Sequence, residues 1–522
     1  MRRDRLLLVL LLSAAAAFSA RYVVRSTFVE GGERWSMLLD DAMVSMRYAR
    51  NLARGEGLVF NPGERVEGFS NPLWVGAMAV VHLLPLPARL ASLAVQALSA
   101  LLLLLGAALL PALCRALPGA PARAAPLAVL LAAFHAPLLH WGLLGMEVAA
   151  LAPLLVLAAL LSARTLADGR FRASPHALLA LGTLLRMDAA VPAALAALFL
   201  ARERREDRGK HLGWGLGLLA LALAAQTAAR GLYYGDLLPN TYSLKLTGYP
   251  LLPRLLRGLE TLGAYLLGDG APLALLALVA LLLRPSPAAR LLGLLFLGQA
   301  AYSAWVGGDA WEYVTTCNRY LATAVPLLSA LAALGTLEVA SRLSRGREAM
   351  AVPLAAGFGV LALLLGNGVR GPSSLATWWD APRPAALVHA EAVRRALAVR
   401  AVAPPGASVA VAWAGIIPYV ADRPAVDLLG KTDPVIARLP MRERPFYPGH
   451  LKWDYARSIG ALSPDVVAQL WDVPARWAYL RLELVPPEAY PWLAGRYVPA
   501  DVGGVRLLLL SGGRARPPAP AR

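Results

Sequence analysis

Two adjacent carboxylates, Asp40 and Asp41, begin the segment of the chain that is richest in groups able to do chemistry. A carboxylate can take the proton of a sugar hydroxyl, which is otherwise a poor nucleophile, and an arginine such as Arg47 can hold a phosphate leaving group. Adjacent side chains on a helix point about 100° apart, so one aspartate could face the reaction while the other orients a partner or a metal. The pair would equally serve to cap a helix, because acidic residues are common at helix N-termini.

The residues that follow, 40–53, have the spacing of an amphipathic helix, with small and apolar residues on one side and polar ones on the other. Tyr48 lies at the edge of the polar side, and such a helix is expected to lie flat on a membrane surface. After Gly55 turn residues dominate, and Glu67 lies in a long polar loop that leads directly into an apolar run. A loop of this kind is typically functional or disordered, and its aromatic residues favour an ordered, functional loop.

Two further clusters combine aromatic, amide and charged side chains beside apolar runs: GLYYGDLLPNTYSLK (231–245) and GGDAWEYVTTCNRY (307–320). Aromatic faces and amide groups suit a sugar, and the cations near the ends of the clusters could neutralise a phosphate. The alternative is a belt of interfacial aromatic residues with basic side chains reaching bulk lipid headgroups. Lys245 and Arg319 are the candidates for the phosphate. The candidates for the sugar or acceptor are, with Tyr48 and Glu67 of the first loop, Tyr234, Asn240, Asp309 and Trp311.

Near the C-terminus, PGHLKWDYARSIGALSPDVV (448–467) contains His450 and Lys452, which we take as candidate acceptor-binding residues. A histidine with a nearby carboxylate could be catalytic, although a lone histidine in a polar loop is more often structural or acceptor-binding. The chain has no G-x-S-x-G, Walker A or H-E-x-x-H motif and no G-x-G-x-x-G after a strand. These absences argue against cytoplasmic nucleotide chemistry.

The composition of the chain predicts a membrane protein, in which membrane-spanning helices hold these clusters in place. The 522 residues are 58% hydrophobic and only 16% charged, against roughly 25% charged in a soluble protein. The formal charge of +18 falls largely in short loops between apolar runs, which is how membrane topology is encoded, so nucleic acid is not expected as a partner. The predicted spans are 6–24, 72–88, 90–113, 124–140, 147–163, 176–200, 212–230, 262–283, 290–306, 319–339 and 350–367.

This count places the N-terminus and three basic loops in the cytoplasm, and the three clusters and the C-terminal region outside. A cleaved signal peptide at the start is the less favoured alternative. By this span count the basic stretch 164–172 falls outside, where basic loops are not expected. A helix broken around Arg186-Met187-Asp188 could remove this conflict. We predict a membrane domain over 1–367, a small α/β domain over 368–511 and a disordered tail over 512–522. The α/β domain would hold a helix at 384–402 and strands at 407–413, 425–429, 477–483 and 505–511.

The first-loop segment DDAMVSMRYARNLARGEGLVFNPGERVEGFSNPLW, the two clusters above, and VDLLGKTDPVIAR with PGHLKWD occur in one order. In this the sequence resembles bacterial membrane glycosyltransferases of the GT-C superfamily, and within it the family of the mycobacterial terminal β-(1→2) arabinofuranosyltransferase. The resemblance covers nearly the whole chain. Met43 and Met46 stand where an aromatic residue is commoner, and Arg186-Met187-Asp188 replaces the usual R-P-D.

The resemblance implies a polytopic α-helical GT-C-like membrane protein of about eleven spans with a periplasmic C-terminal domain, in the bacterial inner membrane. It implies a polyprenyl-phosphate sugar donor, a sugar such as the pentofuranose arabinose, and a cell-envelope glycan or lipid acceptor. It also implies that Asp40 or Asp41 is the essential acidic residue, and that 231–245 and 307–320 line the cavity for donor and acceptor.

Two other functions compete with glycosyl transfer. A transporter or lipid flippase would need polar groups at mid-membrane, whereas the charged and aromatic residues here concentrate in outer loops. A non-catalytic assembly factor with the same fold is the third alternative. No cofactor is predicted; a divalent metal is left open, and Cys114 and Cys317 offer neither a disulfide framework nor zinc-ligand spacing.

Overall fold

Leucine- and alanine-rich runs form most of the secondary structure, because these residues have the highest helix propensities. A computed structural model describes residues 2–310, 312, 316–367, 379, 383–471 and 485–516. The helices in these ranges are α1 Arg2–Arg25, α2 Asp40–Ala53, α3 Pro72–His82, α4 Ala91–Ala116, α5 Ala124–Ala133, α6 Ala136–Leu143, α7 Val148–Asp168, α8 Ser174–Leu185, α9 Ala190–Glu203, α10 Arg208–Tyr234, α11 Asn240–Leu246, α12 Leu251–Leu267, α13 Ala271–Leu283, α14 Pro287–Val306, α15 Arg319–Ala322, α16 Val325–Leu343, α17 Glu348–Gly366, α18 Arg383–Val402, α19 Ile416–Ala421, α20 Pro434–Ala437 and α21 Tyr490–Leu493.

The strands form two sheets. The strands are β1 Phe28–Glu30, β2 Glu33–Trp35, β3 Val409–Val411, β4 Ala425–Asp427, β5 Val466–Val467, β6 Tyr497–Val502 and β7 Val505–Leu510. The first two form a short antiparallel hairpin, and the other five form a mixed sheet of order β4-β3-β5-β7-β6. In this sheet β4, β3 and β5 are parallel, and β7 is antiparallel to β5 and β6.

Contacts divide the chain into two compact units, each of which is discontinuous in sequence. The first unit comprises Met1–Val24, Gln96–Thr227 and Leu251–Pro382. The second comprises Arg25–Val95, Ala228–Pro250 and Arg383–Arg522. The C-terminal residues therefore cluster with the first loop and with 228–250, and a separate domain over 368–511 stays a prediction.

The first unit is built from apolar helices. Six helices in the described ranges are long and apolar enough to cross a membrane, or up to eight if two bent helix pairs each count as one span. The helices α7 and α16 are mostly buried, whereas α1, α10 and α17 leave most of their apolar side chains uncovered, as expected for surfaces that face lipid. The chain is a multi-pass membrane protein, and the prediction of about eleven spans is not confirmed.

Two of the predicted spans have a different form in the structure. The run 72–88 was predicted to span, but α3 ends at His82, before Pro85 and Pro87, which cannot continue a helix. Its 11 residues extend only about 16 Å, roughly half the thickness of the hydrocarbon layer. The run 176–200 is interrupted, since α8 stops at Leu185 and α9 begins at Ala190, at the place where the sequence left a break open.

In the second unit, three of the four runs predicted as strands contain β3, β4 and β7, and the helix predicted over 384–402 is α18. The fourth run, 477–483, lies outside the described residues. The strands β5 and β6 were not predicted, since β5 has only two residues and β6 contains a proline. The predicted disordered tail is described only up to Arg516, whose backbone N–H donates to the carbonyl of Val402 at 2.9 Å.

Glycines allow very close helix packing in the first unit, which is common in membrane proteins. A Cβ at Gly335 on α16 would lie 1.8 Å from the carbonyl oxygen of Leu276 on α13. We expect Gly335→Ala to push the two backbones apart and destabilise the protein by about 1–3 kcal/mol, seen as a lower Tm in detergent. The matched control is Gly217→Ala on α10, where no atom lies within 4 Å of the added Cβ. Equal Tm values for the two variants would contradict this packing.

Candidate functional site

The helix α2 begins at Asp40, as predicted, but its surroundings differ from the prediction. Of its residues only Leu52 is exposed, and the others are buried or half-buried. Its polar side packs on protein groups: Arg50, for example, donates to the carbonyl of Tyr419 at 2.6 Å and to Asp422 at 2.7 Å. The expectation of an amphipathic helix lying flat on a membrane surface is therefore wrong, because main-chain carbonyls rather than water satisfy its polar face.

The two aspartates at the start of α2 have different environments. Asp40 is 8% exposed, and its carboxylate accepts the backbone N–H of Gly415 at 3.1 Å and that of Ile416 at 2.8 Å. Burial raises the pKa of Asp40 to about 6, although the Ile416 N–H and the nearby Lys431 favour its ionised form. Gly415 has no room for a side chain, since a Cβ there would lie 2.0 Å from the carbonyl oxygen of Asp40. Asp40 is therefore an anchor between α2 and the start of α19.

Asp41, one residue further on, is partly exposed and contacts a cation. Its Oδ1 receives the ammonium group of Lys431, and the side chains of Asp41 and Lys431 are 18% and 22% exposed. Because adjacent helical positions point about 100° apart, anchoring Asp40 turns Asp41 towards an accessible region. Of the two predicted catalytic residues, only Asp41 offers its carboxylate to a ligand.

The loop that carries Lys431 follows β4 and has a fixed main chain. The buried carboxylate of Asp427 accepts the backbone N–H of Thr432 at 2.8 Å, and burial raises the pKa of Asp427. The side-chain amide of Asn240 donates to the carbonyls of Gly430 and Lys431, each at 2.9 Å. Gly430 has a φ of +80°, which favours glycine, so the chain can turn sharply just before the lysine.

His450 and Lys245 lie on the same side of the second unit. The Nδ1 of His450 lies 2.7 Å from the carbonyl of Pro448; a carbonyl only accepts, so Nδ1 carries the proton. Burial, with smaller contributions from Lys431 and Lys245, lowers the pKa of His450 to about 4, although the Pro448 carbonyl and Asp41 act in the opposite direction. The ring is therefore neutral at pH 7, with a lone pair on Nε2. The stem of Lys245 passes close to Gly449, with its Cγ 3.6 Å from the position of a Cβ there.

Asp41, Lys245, Lys431 and His450 together form the group that we call the Asp41 cluster. All four side chains are partly exposed, in contrast to most of the other predicted site residues. With the histidine neutral, the charged groups of the cluster are one carboxylate and two ammonium groups. A carboxylate, two mobile ammonium groups and a neutral imidazole are the groups that a transfer from phosphate to a hydroxyl requires.

Arg47, predicted to hold the donor phosphate, lies inside the scaffold. Its guanidinium donates to the carbonyl of Phe60 at 2.7 Å, to that of Arg423 at 2.8 Å and to the amide oxygen of Asn61 at 3.1 Å. It is 2% exposed, and burial lowers its pKa to about 9. This geometry gives no support for phosphate binding by Arg47, since its donors are committed to the main chain and to Asn61.

Lys452, predicted to bind the acceptor, is likewise committed to the scaffold. It is fully buried, and its ammonium group donates to the carbonyls of Ser243 at 2.8 Å, Thr247 at 2.6 Å and Ala437 at 2.6 Å. Burial lowers the pKa of Lys452 to about 8, while the three carbonyls favour its protonated form. An ammonium group has three protons to donate, and each has an acceptor here.

Three other predicted sugar-binding residues also hold loops in place. Tyr48 is fully buried and bonds the main chain of the 61–70 loop, at 2.6 and 2.9 Å. Glu67 forms a buried ion pair with Arg230, and the burial raises the pKa of Glu67. Tyr234 is partly exposed and donates to the carbonyl of Leu58 at 2.8 Å. These contacts keep the first loop folded, which is a precondition for the position of Asp41.

The remaining predicted residues belong to the first unit. Arg319 makes a bidentate pair with Asp309, and both side chains are buried. The carbonyl of Arg319 accepts from Arg186, whose guanidinium is itself paired with Asp188. Trp311 lies outside the described residues. The guanidinium of Arg319 thus already has a carboxylate as partner, and its predicted role towards a phosphate stays a prediction.

Lys431 and Asp427 were not among the residues predicted from the sequence. The sequence feature that could have indicated Lys431 is its place in a Gly-Lys-Thr turn at the end of a short apolar run, in the segment VDLLGKTDPVIAR. The parts of the chain that the structure describes contain no group of three or more His, Cys, Asp or Glu side chains placed to hold a metal ion.

Residues 385–499 match a family described as "Domain of unknown function (DUF8728)", and no curated protein matches the sequence. Among solved structures, ArnT from Cupriavidus metallidurans bound to undecaprenyl phosphate has a TM-score of 0.57 at 14% identity, covering 98% of this chain and 99% of ArnT. The apo state of ArnT gives 0.55 at 15% identity, covering 96% and 97%. The archaeal oligosaccharyltransferase AglB from Archaeoglobus fulgidus, in complex with an inhibitory peptide and a dolichol-phosphate, gives 0.52 at 13% identity, covering 80% of this chain and 64% of AglB.

These structural neighbours have the GT-C fold, so the predicted membership of the GT-C fold class is confirmed. The identities are too low to carry more than the fold. The narrower resemblance to the mycobacterial arabinofuranosyltransferase family is not confirmed.

The contrast between the two aspartates can be tested by stability. We expect Asp40→Ala to leave two buried backbone N–H groups without an acceptor and to cost about 3 kcal/mol. Asp41→Ala removes one partly exposed ion pair and should cost about 0–1 kcal/mol. Thermal unfolding of the two purified variants in detergent measures the difference. A loss of stability in Asp41→Ala as large as that in Asp40→Ala would contradict the anchoring role of Asp40.

Proposed function

We propose that this protein is a membrane glycosyltransferase that takes a sugar from a polyprenyl-phosphate donor at the Asp41 cluster. The observation that carries the proposal is the partly exposed carboxylate of Asp41, set beside two lysines and a neutral histidine in a chain with the GT-C fold. Asp40 holds α2 in place rather than reacting. Of the predicted site residues in the second unit, the proposal keeps Asp41, Lys245 and His450 as reacting or binding groups, and it adds Lys431.

The groups of the cluster match the needs of the reaction. The acceptor hydroxyl forms a bond to the anomeric carbon of the sugar, and the bond from that carbon to the phosphate oxygen breaks with its electron pair moving to the phosphate. Asp41 takes the hydroxyl proton or stabilises the positive charge that develops on the sugar ring. The lysines stabilise the negative charge on the leaving phosphate, and Nε2 of His450 can accept a hydrogen bond from the acceptor.

The structural neighbours support a lipid-phosphate donor. ArnT was solved with undecaprenyl phosphate and AglB with a dolichol-phosphate, which are both polyprenyl phosphates. A sugar phosphodiester carries one negative charge, which the ammonium groups of the Asp41 cluster could stabilise. The apolar helices of the first unit would allow such a donor to arrive from the bilayer rather than from water.

Other parts of the proposal depend on the sequence resemblance. We propose a pentofuranose such as arabinose as the sugar, a cell-envelope glycan or lipid as the acceptor, and the periplasmic face of the bacterial inner membrane as the location. The support is the first-loop motif of residues 40–74 and the basic loops that favour a cytoplasmic N-terminus. Arg319, Asp309 and Trp311 stay predicted donor and acceptor residues of the 307–320 cluster.

Transfer should depend on the carboxylate of Asp41. Purified protein in lipid nanodiscs is incubated with a radiolabelled polyprenyl-phosphate sugar and a cell-envelope acceptor fraction, and label in the acceptor is counted. We expect Asp41→Asn to lower the rate by about 10²–10⁴-fold, because an amide can neither take a proton nor carry the compensating charge. The matched control is Glu33→Gln, which breaks an exposed ion pair with Arg89 at 3.6 Å in the same unit and should keep normal activity.

Two results would contradict the proposal. One is full transfer activity in Asp41→Asn. The other is movement of the labelled lipid between leaflets by the wild-type protein without sugar transfer, which would instead support the flippase alternative. The leaflet of the label can be read by accessibility to an added enzyme, so both results come from the same preparation.

A further inference from the structure

The ammonium group of Lys431 lies on the one carboxylate that the proposed reaction needs. It contacts Oδ1 of Asp41, and 18% and 22% of the surfaces of the Asp41 and Lys431 side chains are exposed. A carboxylate paired with a cation is a poor base, because the cation stabilises its ionised form. The structure therefore shows Asp41 in a state that is less reactive than the proposed mechanism requires.

The same cation is well placed to change partner. The main chain of Lys431 is fixed by Asn240 and, through Thr432, by Asp427. Its side chain, in contrast, has a flexible four-carbon stem and is partly exposed. An ammonium group is also a point charge that does not require a planar, bidentate partner, so it can pass from one anion to another with little geometric cost. Lys245, the second cation of the cluster, is close enough to His450 to shift its pKa in the same direction as Lys431 does.

We propose that Lys431 exchanges partners during the reaction, leaving Asp41 for the donor phosphate and so freeing the Asp41 carboxylate for the acceptor hydroxyl. This inference depends on the proposed function. It adds an exchange of partners by Lys431 and an order of events, in which the donor must bind before the carboxylate becomes reactive. Asp41 and an incoming phosphate compete for the same ammonium group.

The charges balance throughout the exchange. Before transfer, two lysines face the Asp41 carboxylate and a phosphodiester with one negative charge. The acceptor oxygen then bonds to the anomeric carbon, its proton passes to Asp41, and the phosphate oxygen keeps the electron pair of the broken bond. After transfer Asp41 is neutral, and the two lysines face a phosphate monoester with two negative charges. The cluster with its ligand is thus electrically neutral at both ends of the step.

Competition between Asp41 and phosphate can be measured without catalysis. The probe is farnesyl phosphate, a soluble polyprenyl phosphate, titrated calorimetrically into the full-length protein in nanodiscs, with farnesol as the ligand control that lacks phosphate. We expect Lys431→Met to weaken binding about tenfold or more, because a charge-assisted contact is lost. We expect Asp41→Asn to tighten binding about fivefold, because the competing anion is gone.

The double variant makes the test specific. If Asp41 acts through Lys431, then Asp41→Asn combined with Lys431→Met binds farnesyl phosphate like Lys431→Met alone, so the tightening disappears. Glu33→Gln removes the same charge elsewhere in the second unit, at an exposed ion pair with Arg89, and should leave the affinity unchanged. A Tm within a few degrees of the wild-type value would show that each variant is folded.

Unchanged or weaker binding of farnesyl phosphate by Asp41→Asn would overturn the exchange. If Asp41→Asn loses transfer but does not bind farnesyl phosphate more tightly, the exchange is wrong and the proposed function stands. If neither Lys431→Met nor Lys245→Met affects farnesyl phosphate binding, the donor site of the proposed function is wrong as well. Tightening that persists in the double variant would mean that Asp41 repels the phosphate directly, and would also overturn the exchange.

Discussion

The hydrogen bonds from Gly415 and Ile416 to the buried carboxylate of Asp40 are the contact on which the rest of the site depends. A buried charge is tolerated only where hydrogen bonds replace its hydration, so these two N–H groups fix both the position and the rotation of α2. Once the rotation is fixed, the next residue, Asp41, must point elsewhere. The chemistry at Asp41 thus depends on a structural role of its neighbour, which explains why two aspartates stand side by side.

Much of the positive charge of the chain has the same structural purpose. Arg47 and Lys452 are buried and direct their N–H groups mainly at main-chain carbonyls. A cation that has replaced its water with carbonyls has no donor left for a ligand, and withdrawing it would leave a buried charge and unpaired carbonyls. A net charge of +18 therefore says little about phosphate binding; partial exposure next to a carboxylate distinguishes Lys431.

Local patterns in the sequence predicted the elements but not their partners. The start of α2, the break at Arg186-Met187-Asp188 and the strands β3, β4 and β7 follow from periodicity and turn residues within about ten positions. The difference between Asp40 and Asp41 arises from contacts with residues 375 to 390 positions away, which no local pattern encodes. Lys431 was missed for the same reason, and α3 was predicted too long because the apolar run continues past the prolines that end the helix.

Two ion pairs of the second unit differ in exposure and geometry, and this difference explains why one is structural and the other is suited to the reaction. Glu67 and Arg230 are 6% and 3% exposed and meet through a planar, two-pronged guanidinium, so separating them would strand two charges away from water. Asp41 and Lys431 are partly exposed and meet through a single ammonium group. Water and a ligand can replace either partner there, so the pair costs little to break. A carboxylate that must change its protonation state needs a partner of the second kind, and the fixed main chain around Lys431 keeps that partner within reach while its side chain moves.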